Sequence, residues 1–272
     1  MNTATSRPRP RQTQMGRDKR KQDQSGDDVR VGLSKKLSKL LRHRIHENGL
    51  GDVLRPDGYV PLARLLATPG FVGASEAEVR AVVRDNDKQR FAILEEGGVS
   101  YIRANQGHTI SQGIDDAALL TPLDDAALVA IGRAVHGTYK AAWGGIAHSG
   151  GLLRMARAHI HLAADLPGEG GVISGMRRSA QIHVWVNLPA AARAGARFYS
   201  SANGVLLTPG LGEQGLLPIG AFEEVHDAAS DLWWVGGAWV ASRGGCGGAS
   251  GDGGVVSAPA AEAAATAAAG TG

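Results

Sequence analysis

The sequence predicts an α+β fold in two parts, and three observations carry that reading. Up to about residue 85, apolar residues recur at helical spacing in three short segments. Two β-rich runs joined around Gly97-Gly98 then read as a hairpin. From about residue 126 to 227, strand-like runs broken by glycine turns mix with two helical segments, which fits a largely antiparallel sheet.

Residues 1–30 are polar, with Arg, Gln and Pro, and offer too little apolar surface to offset the entropy of ordering; they read as a disordered basic arm. In "LSKKLSKLLRHRIHENG", Leu37, Leu40, Leu41 and Ile45 form one helical stripe, with Ser34 as N-cap and Gly49 as the stop. "YVPLARLLA" predicts a short second helix. "SEAEVRAVVRDN" predicts a third, in which Ser75 and Glu78 have the spacing of a capping box. The hairpin is "RFAILEEGGVSYIRA". Three short helices followed by a hairpin is the order of a winged-helix module, placed at residues 31–115. The chain divides near 110–125. In the second part, at 126–227, "RAVHGTY", "HIHLA", "AQIHVWVNL", "ARFYSS" and "GVLLT" predict strands, while "KAAWGGIAHSG" and "LPAAARAG" predict helices. "DLWWVGGAWV" at 231–240 carries three tryptophans whose packing partner the sequence does not identify. Residues 243–272 are rich in Gly and then Ala, and read as a disordered tail.

The formal charge of +3 hides an asymmetry. Residues 1–30 hold eight Lys or Arg against four Asp or Glu, a balance of +4, which leaves −1 for the rest. Such a folded region binds nucleic acid only through a local patch, helped by the arm. Apolar runs fall short of the ~18 residues that a membrane helix needs. The N-terminus has no apolar core of a secretory signal, and an organelle transit segment stays open as an alternative to a plain arm. The single cysteine, Cys246, allows no disulfide within the chain, which suits a reducing compartment.

Several polar residues allow two readings each. Arg42 and His43 lie off the leucine stripe, one turn after Lys39; they form either a solvated charged face or an anion site, since Arg forks onto phosphate oxygens and His exchanges a proton near neutral pH. In "YIRANQGH", Asn105 and Gly107 suit a turn, but Arg103, Gln106 and His108 add hydrogen-bonding groups that a turn does not need. "HGT" (His136, Gly137, Thr138) follows an apolar run, and Gly137 permits close backbone approach to a ligand. His159 and His161 share one strand face, yet no Cys cluster or acidic partner follows, so no metal site is expected. Arg177 and Arg178 sit in a glycine turn. No phosphate-binding loop of the strand–glycine–helix kind is present.

Taken together and in this order, "SKKLSKLLRH" (34–43), "DGYVPLARLL" (57–66), "YIRANQGHT" (101–109), "HGT" (136–138), "GLLRMARAHIHLA" (151–163), "SGMR" (174–177) and "FYSSANGVLLT" (198–208) resemble the RNA (tRNA) 2′-phosphotransferase family over roughly residues 31–226. The resemblance implies a winged-helix-like N-terminal lobe that binds RNA and a C-terminal lobe like the NAD-binding fold of ADP-ribosyltransferases, with the active site between them. It implies removal of the internal 2′-phosphate left by a ligase in tRNA splicing, with NAD⁺ consumed as acceptor and no metal. The RNA phosphate first displaces nicotinamide, giving ADP-ribosylated RNA. A neighbouring ribose hydroxyl then attacks phosphorus, releasing 2′-OH RNA and ADP-ribose 1″,2″-cyclic phosphate.

By the same resemblance, Arg42, His43, Arg103 and Arg177 handle the phosphates. His136, Gly137, Thr138, Gly151, His159, Asn203 and Val205 match positions at the NAD site. Such a set is chemically coherent, because arginines offset phosphate charge without acting as bases, and His43 alone of the four could transfer a proton near pH 7. The implied partners are NAD⁺ and tRNA or another RNA with an internal 2′-phosphate, for a monomeric, intracellular protein of the nucleus or cytoplasm. Asn187 stands where the resemblance leads one to expect an acidic residue. Two rival readings are an ADP-ribosyltransferase that leaves a stable ADP-ribose on its acceptor, and a non-catalytic RNA-binding module.

Overall fold

The computed structural model describes residues 15–109, 112–167 and 176–241, with the backbone alone at 15–27. The tail from residue 243 with Cys246, the first 14 residues, and Ser174 and Gly175 of the "SGMR" stretch lie outside them. The chain forms two compact units, Met1–Leu119 and Leu120–Gly272.

The first unit opens with α1 (Met15–His43). Residues 15–30 are therefore helical along the backbone, and Ser34 lies inside the helix instead of capping it. The reason is cooperative. Once the buried Leu37, Leu40 and Leu41 anchor one end, the good helix formers of "DKRKQDQ" add turns without a second nucleation cost. The Ser34 hydroxyl has a tertiary role, accepting from Asn86 Nδ2 at 3.4 Å. At the other end α1 stops six residues before Gly49, and a 3₁₀ turn at His46–Asn48 intervenes, closed by Gly49 at φ 67°.

"YVPLARLLA" also divides. Val60 and Pro61 are strand β1 (Val60–Pro61), and the helix proper is α2 (Leu62–Leu66). α3 (Glu76–Arg84) carries the expected capping box: Ser75 Oγ accepts from the Glu78 amide at 3.2 Å while Glu78 accepts from the Ser75 amide at 2.8 Å. β2 (Phe91–Glu96) and β3 (Val99–Ala104) pair antiparallel, with β1 on the other side of β3. Gly97 and Gly98 turn the hairpin at φ 58° and 77°, a conformation that excludes most side chains. α4 (Asp116–Leu119) ends the unit. Leu37, Leu41, Ile45, Leu62, Leu65, Val79 and Ile102 form its core and are fully buried.

The second unit starts with β4 (Thr121–Pro122), α5 (Asp125–Ile131), β5 (Arg133–Thr138), α6 (Lys140–His148), β6 (Gly151–Leu153) and β7 (Ile160–Leu162). It continues with β8 (Ile182–Asn187), α7 (Leu188–Arg193), β9 (Tyr199–Ser200), β10 (Leu206–Thr208), β11 (Leu216–Pro218), β12 (Phe222–Asp227), β13 (Leu232–Val235) and β14 (Ala238–Val240). These strands make a five-stranded sheet in the order β14-β13-β12-β8-β5, a four-stranded sheet β4-β9-β10-β7 and the pair β11-β6, all paired antiparallel. An α+β class follows directly. Val184, Val186, Leu188, Phe198 and Leu217 are among the buried residues of the core.

Two loose ends of the sequence find their place here. Asn187 is the N-cap of α7, its side chain accepting from the Ala190 amide at 2.8 Å, a role in which Asn and Asp serve equally. The tryptophan segment is the β13–β14 hairpin. Trp234 and Trp239 meet edge to face at 5.3 Å and both pack on Trp143 of α6, at 5.4 and 5.8 Å. Trp233, one residue out of phase and so on the opposite sheet face, stacks on His226 at 4.0 Å.

Candidate active site

The polar run that ends β3 folds back on the end of α1. Asn105 begins it, its amide donating to Arg90 O at 2.9 Å and its side chain to Gln89 O at 2.6 Å. The next residues then reach Arg42 and His43: the Thr109 amide donates to Arg42 O at 3.0 Å, and Thr109 Oγ1 lies 3.0 Å from His43 Nδ1. Between these ties Gly107 adopts φ +87°, and the Arg42 guanidinium lies over it; a Cβ there would stand 3.3 Å from Cζ. The backbone favours glycine at this position, and a side chain there would also press on the arginine.

Arg103 is held separately. Its guanidinium lies over the Tyr59 ring, 4.6 Å from the centroid, and donates to Asp57 O at 3.0 Å. Arg103 Cβ and His108 Nε2 both lie about 4 Å from where a Gly58 Cβ would be, so the two residues border one glycine. Asn105, Gln106 and His108 are buried, which makes them supports of this loop, whereas His43 is exposed. Within the first unit the structure thus ties Arg42 and His43 to the segment that follows β3, while Arg103 is held by Asp57 and Tyr59. Two half-buried arginines and an exposed imidazole are groups of the kind that can bind an anion.

In the second unit, His136, Gly137 and Thr138 of β5 line a cavity of about 230 Å³ together with Arg177, Val205 and His161. His136 Nδ1 lies 2.9 Å from His161 O. A carbonyl only accepts, so Nδ1 carries the proton and Nε2 keeps its lone pair. Burial pushes the His136 pKa down, against that hydrogen bond and with help from the Arg157 charge, so the ring is neutral at pH 7. Gly137 makes room for a side chain of the protein itself: a Cβ there would collide with Met176 Sδ. Tyr139, beyond the strand end, places its hydroxyl 3.0 Å from Ser179 Oγ. Ser179 and then Arg177 hold its pKa below the usual phenol value.

Of the remaining sequence-predicted residues of this unit, His159, Asn203 and Gly151 do not line this cavity. His159 is buried against Tyr199, 6.0 Å between ring centroids. Asn203 is buried and accepts from Ser201 Oγ at 2.8 Å, while the same hydroxyl accepts from the Val205 amide at 3.1 Å. Gly151 sits in β6, where a Cβ would collide with Leu217 O of β11; strand pairing accounts for it. Sequence reasoning passed over Tyr139, Arg157 and Met176. Tyr139 directly follows "HGT" and could have been found there; the other two reach the cavity only through the fold. The described residues contain no cluster of three metal-ligating side chains, and no described helix is long and apolar enough to cross a membrane.

A family model described as "RNA 2′-phosphotransferase, Tpt1 / KptA family" matches residues 28–210. The chain belongs to the RNA 2′-phosphotransferase family. The tRNA 2′-phosphotransferase 1 of Mus musculus is 45% identical over 194 residues, which cover 70% of this chain and 75% of the mouse protein. The tRNA 2′-phosphotransferase of Saccharomyces cerevisiae is 34% identical over 160 residues, 58% of this chain and 68% of the yeast protein. A Schizosaccharomyces pombe protein is 41% identical over 205 residues, 74% of this chain, and the chain spans about half of its length (53%). The RNA 2′-phosphotransferase match takes in both residue sets, from Arg42 to Val205, and ends before the Trp233–Trp239 hairpin.

Proposed function

We propose that the protein is an NAD-dependent tRNA 2′-phosphotransferase that removes the internal 2′-phosphate of spliced tRNA. In this reading the first unit is a winged-helix-like RNA-binding lobe and the second an ADP-ribosyltransferase-like NAD-binding lobe. The observation that carries it, beside family membership, is the segment 105–109 packed on the end of α1. It seats Arg42 over Gly107 and ties His43 to Thr109, just after Arg103 leaves β3. His43 stays exposed at this seat, and cations beside an imidazole there suit a phosphate.

The second unit fits part of a dinucleotide. A cavity of about 230 Å³ is smaller than the 300–1,000 Å³ usual for a whole small-molecule site, so it would enclose one end of NAD⁺. The neutral His136 offers an acceptor at Nε2, Thr138 and Tyr139 offer hydroxyls, and Arg177 offers a cation. NAD⁺ would supply the ADP-ribosyl group that takes up the phosphate, with release of nicotinamide and, by way of ADP-ribosylated RNA, of ADP-ribose 1″,2″-cyclic phosphate. Arg42, Arg103 and Arg177 would offset the charge on the phosphate oxygens as it becomes pentacovalent. His43 is oriented by Thr109 for proton transfer at a ribose hydroxyl.

An oligonucleotide with one internal 2′-phosphate, incubated with the protein with and without NAD⁺, tests this. Conversion to 2′-OH RNA with stoichiometric nicotinamide release is the expected result. Arg103→Ala and Arg177→Ala are each expected to cut the rate by ~10²-fold or more, the scale of losing one charge-stabilising donor. A stable ADP-ribosylated RNA from the wild-type protein would replace this reading with an ADP-ribosyltransferase, and intact RNA binding without nicotinamide release would replace it with a binding module.

A further inference from the structure

Along one face of α1 in the first unit lies a groove that shares only His43 with the phosphate-handling residues described above. Arg30, Ser34, Lys35, Ser38, Lys39 and His43 line it at the three- and four-residue spacing that aligns side chains on one helix face. Its other wall is the turn after α3, with Lys88 and Arg90. The enclosed volume is about 980 Å³. The walls are tied together: Asn86 Nδ2 donates to Ser34 Oγ at 3.4 Å, Arg90 donates to Asn86 Oδ1 at 3.2 Å, and Arg30 pairs with Asp85 at 3.4 Å. Asn105 fastens the active-site segment to the same turn through Gln89 O and Arg90 O.

The charge of the lining is one-sided. Five Lys or Arg face it against two carboxylates, Asp85 and Asp87, and Asp85 is already engaged by Arg30 and Arg84. Residues 31–272 together sum to −1, so this concentration of cations is local. Among the described lining residues there are hydroxyls and an amide but no Phe, Tyr or Trp. That composition contacts phosphates and ribose and leaves the bases unread. From His43 to Arg30 the helix advances about 20 Å, room for several nucleotides.

We infer that this groove carries the RNA strand on one side of the 2′-phosphate, with His43 as the point where groove and reactive phosphate meet. The inference rests on the phosphotransferase reading of the site. The groove binds single-stranded RNA by its backbone, without sequence preference, and makes substrate length count. Lys35 and Lys39 are, with Arg30, the exposed cations of its helical wall, while Lys36, also exposed, lies outside it.

The test compares Lys35→Glu, Lys39→Glu and the charge-matched control Lys36→Glu with the wild-type protein. Two single-stranded RNAs with one internal 2′-phosphate are used, a trinucleotide and a longer strand extended on either side. The wild type is expected to turn over the extended RNA with lower KM than the trinucleotide. Lys35→Glu and Lys39→Glu should each erase about five- to tenfold of that advantage, and each should lower the slope of log K against log salt by about 0.7 in binding to the long RNA. Lys36→Glu should keep both. If all three variants behave alike, or if extension brings no advantage to the wild type, the groove does not hold RNA. RNA binding by fluorescence anisotropy without NAD⁺ separates the two readings: with no turnover of either RNA the proposed activity fails, yet the slopes of Lys35→Glu and Lys36→Glu still decide the groove.

Discussion

At Gly107 a single missing Cβ sets the position of a charged group. Gly107→Ala must place a side chain at φ +87° and 3.3 Å from the Arg42 guanidinium. Backbone strain of that kind costs about 1–2 kcal/mol, and the guanidinium must move. Urea unfolding should show a loss of that size. Turnover should fall by more than the lost stability explains, because well-folded protein would still have Arg42 out of place. His136 makes a prediction with a sign. Its folded pKa lies below the ordinary ~6.5 because burial disfavours the charged ring. Between the two values the unfolded chain binds a proton that the folded one does not. Stability conferred by the neutral ring is therefore complete above about 6.5 and declines as pH falls below it. His183, lowered by burial and by His226, acts in the same direction, so the comparison must be with the wild type. His136→Gln should flatten, without abolishing, the fall of melting temperature below pH 6.5. An unchanged slope would mean that His136 is not buried in its neutral form. The polar residues of "YIRANQGH" were visible as a cluster in the sequence. Their division into buried supports, Asn105, Gln106 and His108, and a half-buried Arg103 held apart from them was not, because it depends on Arg90, Asp57 and Tyr59 from other elements.

At the scale of elements, what was legible is what is local. The capping box of α3 and the Gly97-Gly98 hairpin each lie within a few residues, and both formed as their spacing predicts. Ser75→Ala removes the side chain that accepts from the Glu78 amide and should cost about 1 kcal/mol of stability in denaturant melts, with Ser75→Gly milder. A stability within error of wild type would show that the solvated helix end gains nothing from the box. Non-local choices went differently. Val60 and Pro61 look like the start of a helix until Ile102 and Tyr101 of β3 take them as strand partners. Ser34 looks like an N-cap until Asn86, 52 residues away, takes its hydroxyl and the helix runs past it to Met15. Propensity within the segment permitted both outcomes, and pairing with distant residues chose.

At the scale of the whole molecule, the tryptophans show how an uninterpretable stretch becomes structural. Trp239→Ala should destabilise the second unit by about 2–3 kcal/mol, below the ~3–5 of a fully enclosed aromatic side chain because the ring is only half-buried. Near-UV circular dichroism should lose intensity with it, and an unchanged spectrum with unchanged stability would deny the Trp143, Trp234 and Trp239 cluster. By itself the sequence determined the α+β class, the leucine stripe of α1, the hairpin, the capping box and, through short motifs in a fixed order, membership in the RNA 2′-phosphotransferase family. Each of these rests on spacing within one segment or on the order of segments, which a linear chain records. Only the tertiary structure decided that Arg42 lies over Gly107, that Tyr139 shares Ser179 and Arg177, that Gly137 makes way for Met176, and that basic residues of α1 face a turn 50 residues on. Those neighbours are brought together by burial of the two cores, a non-directional force that no local pattern of polar residues encodes.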